Sequence, residues 1–71
     1  MKLENVKVGV RVQYKGSMSR PERKGALGTL AEDGQDTSIP FVCWDDDIHN
    51  RTTYAGQRVS SANINDLRKV K

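Results

Sequence analysis

Three kinds of side chain in this sequence could do chemistry: a run of carboxylates, a cysteine with a histidine, and a group of cations. Asp45, Asp46 and Asp47 form the carboxylate run that could support acid–base catalysis. Successive residues of a strand point to opposite faces, so only Asp45 and Asp47 would lie together there. The sequence offers no nucleophile elbow and no second histidine beside them. We therefore expect a solvated turn, and we predict that the protein is not an enzyme.

Cys43 and His49 are the only cysteine and the only histidine of the chain. A zinc site needs roughly four ligands, and a disulfide within the chain needs a second cysteine, so the sequence excludes both. Cys43 could act as a nucleophile with His49 as its base, but a single cysteine in an apolar strand is usually a small core residue. The acidic run also lacks the alternating ligands and the glycine of a calcium loop. We expect no metal and no cofactor.

The third group is a cluster of cations in a polar segment bounded by Gly16 and Gly25. Arginine can bind two phosphate oxygens at once, and flanking glycines let a loop approach its ligand closely. Arg58 or Arg68 could join the segment from across the sheet. This pattern predicts an anionic ligand, with nucleic acid ahead of a nucleotide or another phosphorylated small molecule. The alternative is a solvated loop without a ligand. The cations of the cluster are Lys15, Arg20, Arg23 and Lys24.

Aromatic residues could add ring contacts to such a site, and the chain has four of them: Tyr14, Phe41, Trp44 and Tyr54. We expect Trp44 to be largely buried, because it shares one face of an apolar strand with Val42. Either Tyr14 or Tyr54 is then expected to be the more exposed ring, which could stack on a base or contact a partner. The predicted binding residues are therefore the four cations of the cluster together with Tyr14, Tyr54 and Arg58.

A protein partner is the competing prediction. The same segment, the acidic run and an exposed ring could contact another protein, and a very short chain without catalytic groups is typical of a viral or mobile-element accessory protein that inhibits or adapts a host protein. Salt separates the two predictions, because binding to a nucleic-acid backbone weakens steeply with salt and a ring-centred interface does not. Replacing Arg20, Arg23 and Lys24 by Ala should remove anion binding and leave folding intact.

Length and composition place these groups on a single small domain, residues 1–71. The net charge is +3, and 35% of the residues are hydrophobic. A chain this short buries only about three-fifths of its unfolded surface, so its core should be small. No apolar run approaches the roughly 20 residues that cross a bilayer, and none follows Met1 closely. We expect a cytoplasmic protein with no membrane partner.

Short apolar runs between turn residues predict an all-β fold with about five strands. Leu27 or Gly28 should lie at a bend, because an internal glycine often marks a bulge or a close approach of two backbones. Cap-forming residues within 61–67 predict a single short helical turn before the last strand. The predicted strands cover 8–14, 26–31, 41–45, a kinked strand within 51–60, and 68–70.

Four short motifs follow one another along the chain: Val6, Gly9 and Val12; Gly25, Gly28, Thr29 and Leu30; Val42, Trp44, Asp45 and Asp46; and Asp66, Leu67 and Arg68. Their order resembles that of small SH3-like barrels, in particular the KOW and Tudor-type pattern, over nearly the whole chain. The resemblance implies a small barrel with a short 3₁₀ turn that plugs one end, and a binding function without catalysis. The basic segment is longer than the hairpin of that pattern requires.

Overall fold

Six short strands form one antiparallel sheet in the computed structural model, which describes residues 1–16, 18, 20–33 and 38–70. The strands are β1 (Arg11–Tyr14), β2 (Leu27–Leu30), β3 (Phe41–Trp44), β4 (Thr52–Tyr54), β5 (Gln57–Ser61) and β6 (Leu67–Lys69). Their order across the sheet is β4-β5-β3-β2-β1-β6, so the last strand returns to pair with the first. Single 3₁₀ turns lie at Leu3–Asn5, Pro21–Arg23, Asp47–His49 and Ile64–Asp66.

The all-β class is confirmed, and so is the short 3₁₀ turn before the last strand, at Ile64–Asp66. The described strands number six and not five, because the segment 51–60 forms a hairpin and not one kinked strand. Ala55 and Gly56 have φ of 52° and 80°, the positive values of a two-residue type I′ turn. In the described part of the chain β4 and β6 are the edges, so the sheet is open where a closed barrel was expected.

Alternation along the central strands separates an apolar inner face from an outer face. Trp44 is 2% exposed on the inner face, which confirms its expected burial. Of the two tyrosines Tyr54 is the more exposed ring, at 39%, whereas Tyr14 has the same strand parity as the buried Val12 and is only 3% exposed. The Tyr14 and Trp44 rings meet edge to face, with centroids 5.8 Å apart. The core also contains Val6, Leu30, Val42, Ala62 and Leu67.

The chain before β1 turns and does not extend the strand. Gly9 has a φ of +92°, a value that favours glycine, and the Val10 N–H donates to Lys7 O at 3.2 Å across the turn. Val8 is therefore 63% exposed, whereas Val6 is buried. The prediction that the first strand begins at Val8 is wrong, because the turn at Gly9 delays the strand to Arg11.

Side chains of β3 fill the space beside Gly28 of β2. Gly28 lies opposite Trp44 in the register of the two strands. A Cβ atom at Gly28 would lie 2.6 Å from Val42 Cγ1 and 3.0 Å from Trp44 Cε3. The missing side chain therefore provides the space in which Val42 and Trp44 pack.

The outer face carries a second, smaller apolar group. Phe41 and Cys43 lie on the outer face of β3, and the Tyr54 ring of β4 stacks on the Phe41 ring with centroids 4.9 Å apart. Cys43 is a free, half-buried thiol. The expectation that Cys43 is a core residue is wrong, because its strand parity is opposite to that of Val42 and Trp44.

Across the described ranges, the 3₁₀ turns are too short to cross a membrane, and no other helix with the length and apolar character to do so is present.

Candidate anion-binding cleft

The β1–β2 connection, residues 15–26, is fixed at its base by backbone hydrogen bonds. The Gly25 N–H donates to Tyr14 O, and the Tyr14 N–H donates to Ala26 O, both at 2.8 Å. Gly16 and Gly25 have φ of +106° and +84°, which other residues adopt only with strain. The two glycines of the basic segment therefore serve backbone turns that bring the segment back onto the sheet.

Arg23, which was predicted to bind a ligand, lies inside the protein at the end of the Pro21–Arg23 turn. It is 3% exposed. Its guanidinium group donates hydrogen bonds to the carbonyl oxygens of His49 at 3.3 Å and Ser61 at 3.2 Å, and to Ser60 Oγ at 3.1 Å. Arg23 therefore ties the β1–β2 connection to β5 and to the Asp47–His49 turn.

Two aromatic rings complete the surroundings of the Arg23 guanidinium, whose carbon lies 5.6 Å from the Tyr14 centroid and 5.0 Å from the Trp44 centroid. Among the described residues no carboxylate lies within 4.0 Å of it, and Nε has no hydrogen-bond partner. Burial lowers the pKa of Arg23 because it desolvates the charged form, while cation–π attraction favours that form. The prediction that Arg23 contacts a ligand is corrected: its charge is used inside the fold.

Two other cations of the segment, Lys15 and Lys24, line one surface cleft together with Arg68. The cleft has a volume of about 290 Å³. Arg68 reaches it because β6 pairs with β1, which places Arg68 opposite Gln13; the Arg68 Nε donates to Gln13 Oε1 at 3.1 Å. We call this the basic cleft. Its lining residues are Gln13, Tyr14, Lys15, Lys24, Gly25 and Arg68.

The basic cleft continues past Lys15 and Lys24 into a second depression of about 440 Å³, lined also by Gly16, Met18 and Pro21. The ion pairs among the described residues are Arg11–Asp45 at 2.7 Å and Arg58–Asp47 at 2.9 Å. Within that same part of the chain, Lys15, Lys24 and Arg68 have no carboxylate within 4.0 Å. Their charges are therefore available to an anion from solution.

The remaining predicted binding residues do not line the basic cleft. Arg58 lies on the β4–β5 hairpin, where it donates to Asp47 Oδ1 at 2.9 Å and to Asn50 O at 2.7 Å. Tyr54 lies on β4 against Phe41. Arg20 is exposed immediately before the Pro21–Arg23 turn. The structure thus brings Lys15 and Lys24 together and separates Arg58 and Tyr54 from them.

A third cleft, of about 380 Å³, shares Lys24 and Gly25 with the basic cleft but has the opposite charge on its other side. Asp45 accepts two hydrogen bonds from Arg11, at 2.8 and 2.7 Å. These bonds favour the ionised carboxylate and therefore lower the pKa of Asp45. No group of three or more His, Cys, Asp or Glu in the described residues is placed to hold a metal ion. We call this third cleft the acidic cleft. It is lined by Glu22, Lys24, Gly25, Ala26, Leu27, Asp45, Asp46 and His49.

Sequence reasoning named Arg68 only as an accessory and did not name Gln13. Both belong to strands that the alternation pattern predicted, but the pattern does not say which strands are neighbours. The pairing of β6 with β1 supplies that information, since it sets Gln13 against Arg68. A register assigned between the first and last predicted strands would have found both residues.

Comparisons with protein-family models, with curated proteins and with solved structures find no significant match to this chain.

Proposed function

We propose that this protein is a non-enzymatic binding module that recognises an anionic group of its ligand through the basic cleft. One observation carries the proposal: Lys15 and Lys24 of the β1–β2 connection and Arg68 of β6 line one cleft, with no described carboxylate within 4.0 Å of them. Cations held apart from carboxylates keep their charge available for a ligand. The two lysines supply mobile point charges.

Arg68 supplies geometry as well as charge. Its Nε–H donates a hydrogen bond to Gln13 Oε1, and this bond orients the guanidinium plane. The terminal N–H groups are then left for the two oxygens of a phosphate or carboxylate. The return of β6 to β1 after the Ile64–Asp66 turn supports the SH3-like assignment, which remains part of the proposal. Nucleic acid is the anion favoured by the sequence, ahead of a phosphorylated small molecule. A reducing compartment such as the cytoplasm suits the free thiol of Cys43.

The test is binding of a fluorescently labelled single-stranded oligonucleotide, measured by anisotropy at several salt concentrations. The double variant Lys15→Ala/Lys24→Ala should bind about tenfold more weakly at low salt, because it removes two charge-assisted hydrogen bonds. The slope of log affinity against log salt should also fall by about 1.4, since roughly 0.7 counterions are released per contact with a single strand.

The matched control is Lys7→Ala/Arg51→Ala, which removes the same charge from two exposed residues outside the basic cleft. Its affinity should stay within about twofold of the parent, because a distant exposed charge acts only through the screened long-range field. An equal loss in both variants would show that net charge, and not the basic cleft, drives binding. In that case the proposed function is wrong.

A protein partner is the second candidate, and one observation favours it. The outer face of the sheet has a cleft of about 220 Å³ without a charged residue, lined by Val8, Gly9, Thr29, Leu30, Ala31, Cys43 and Gln57. The stacked Phe41 and Tyr54 rings lie on the same face. An accessory protein that inhibits or adapts a host protein could use this face. Binding there should be nearly insensitive to salt and should survive the Lys15→Ala/Lys24→Ala replacement.

A further inference from the structure

The basic cleft does not end in open solvent on every side. Lys24 and Gly25 line both the basic cleft and the acidic cleft, so the two clefts are neighbours. The sign of the lining charge therefore changes from one cleft to the next across Lys24. A ligand that fills both clefts meets cations at one end and carboxylates at the other.

Two carboxylates of the acidic cleft are available to such a ligand. Asp45 forms an ion pair with Arg11, but Glu22 and Asp46 have no cation within 4.0 Å among the described residues. Asp46 accepts one hydrogen bond, from the Ile48 N–H at 3.3 Å through Oδ1. A carboxylate has about four acceptor positions, so Asp46 retains capacity for a donor from a ligand.

This arrangement disfavours a continuous nucleic-acid strand. A strand carries a negative charge at every nucleotide, so a strand that extends from the basic cleft past Lys24 is repelled by Glu22 and Asp46. Binding of single strands also relies on aromatic rings on which bases stack. Among Phe, Tyr and Trp residues, Tyr14 is the one that lines these clefts, and it is only 3% exposed.

We propose that the ligand is a segment of another protein with mixed charge, in which an acidic side chain enters the basic cleft and a neighbouring lysine or arginine enters the acidic cleft. The inference rests on the proposed function, because it assigns the anionic group to the same basic cleft. Complementary charges of both signs fix the direction of the bound segment and exclude partners of a single sign.

The experiment is an NMR titration of the ¹⁵N-labelled full chain with three probes. The first is a blocked peptide that repeats Glu-Glu-Ser-Lys-Lys-Ser, the second is the same peptide with Gln in place of Lys, and the third is a single-stranded oligothymidylate. Amide shifts at Lys24 and Gly25 report binding and give the affinity even when it is weak. The mixed-charge peptide should bind more tightly than the other two probes and should shift amides of both clefts.

The variant Glu22→Gln/Asp46→Asn separates the partner classes. Asn at position 46 can still accept from the Ile48 N–H, so the turn should keep its hydrogen bond. The variant should bind the mixed-charge peptide about threefold to tenfold more weakly, the effect expected for two exposed ion pairs. It should bind the oligothymidylate more tightly, because two repelling charges are gone. The matched control Glu4→Gln/Asp33→Asn, in which position 33 can likewise still accept from the Val8 N–H, should change neither affinity beyond about twofold.

Three results overturn the inference: no binding of the mixed-charge peptide, tighter binding of the oligothymidylate to the parent chain, or an undiminished affinity of the mixed-charge peptide for Glu22→Gln/Asp46→Asn. If Lys15→Ala/Lys24→Ala still binds the anionic probes about tenfold more weakly than the parent chain, only this inference fails, and nucleic acid becomes the ligand class. If that variant binds every probe as the parent chain does, the proposed function fails with it.

Discussion

The β1–β2 connection and the β4–β5 hairpin both carry cations, but of these two regions only the connection places a cation in the interior. Arg23 in the connection is 3% exposed and is bonded to the Asp47–His49 turn and to β5. In the hairpin the residue that is buried is the apolar Val59, at 0% exposure, and the cation Arg58 stays at the surface with its side chain 62% exposed.

The difference teaches that the number of cations does not measure the charge offered to a ligand. In the hairpin, the charge of Arg58 is met by Asp47. In the connection, the charge of Arg23 is used for contacts inside the fold. Its neighbour Lys24 lies beside Lys15 and Arg68 in the basic cleft. The buried Arg23 thus holds the segment that carries exposed cations, whereas the exposed Arg58 is neutralised by its ion pair with Asp47.

Replacing the residue on which both regions depend should have the largest effect. Trp44 lies against the Arg23 guanidinium, and its Nε1–H donates to Ser60 O of β5 at 3.2 Å. Trp44→Ala should lower the free energy of unfolding by about 3–5 kcal/mol, the usual cost of removing a buried Trp. Urea denaturation followed by far-UV circular dichroism measures it. A folded variant of near-parent stability would contradict the placement of the ring in the core.

The second prediction compares two adjacent cations. Arg23→Ala should cost about 2–3 kcal/mol, because it leaves the carbonyl oxygens of His49 and Ser61 without their donor and opens a space beside two rings. Lys24→Ala should cost less than about 0.5 kcal/mol, since Lys24 is exposed. Urea midpoints of the two variants measure the contrast. Equal midpoints would show that Arg23 is not an anchor.

This contrast also corrects the test that the sequence suggested. Replacing Arg20, Arg23 and Lys24 together was expected to leave folding intact, but the triple variant removes the anchor along with a cleft residue. A loss of binding in it would not separate unfolding from loss of the site. The pair Lys15→Ala/Lys24→Ala avoids the problem, because both residues are exposed.

Alternation and turn residues were sufficient for most of the fold. The parity of Val12, Val42 and Trp44 identifies the inner face, and Gly28 leaves the space in which Val42 and Trp44 pack. Tyr14 shares the parity of Val12, so parity alone selects Tyr54 as the more exposed of the two tyrosine rings. Local pattern is a sound guide where a strand has one buried face.

The site depended on contacts that local pattern does not contain. Whether an arginine is buried depends on which carbonyl groups and rings surround it in the fold. Arg23 donates to carbonyl groups of His49 and Ser61, which lie far from it in the sequence. Arg68 joins the basic cleft only through the pairing of β6 with β1. From sequence, Arg23 and Lys24 are equivalent members of one basic segment.

The third prediction concerns the hairpin turn and is a gain in stability, whereas the first two are losses. Ala55 has a φ of 52°, a left-handed conformation that costs an alanine about 1–2 kcal/mol. Asn tolerates this conformation and is favoured before Gly in type I′ turns. Ala55→Asn should therefore raise the free energy of unfolding by about 0.5–1 kcal/mol. A raised thermal midpoint would show that the hairpin is limited by local strain; an unchanged or lowered midpoint would contradict the turn assignment.

The smallest expected effect is a pH dependence located at the hairpin. The hydrogen bond from Arg58, with a second from the Asn50 side chain, lowers the pKa of Asp47 below its ordinary value. A carboxyl whose folded pKa is lowered contributes stability that is present above its unfolded pKa, at about 4, and that is lost as the pH falls through the folded value. Asp47→Asn should therefore lose less stability than the parent chain between neutral pH and pH values below about 4. Arg58→Gln should remove most of this pH-dependent stability and not all of it, because it removes the main cause of the lowered pKa and leaves the hydrogen bond from Asn50. Urea midpoints of the three proteins at both pH values measure this, and an identical acid-induced loss in all three would show that the ion pair does not hold the hairpin.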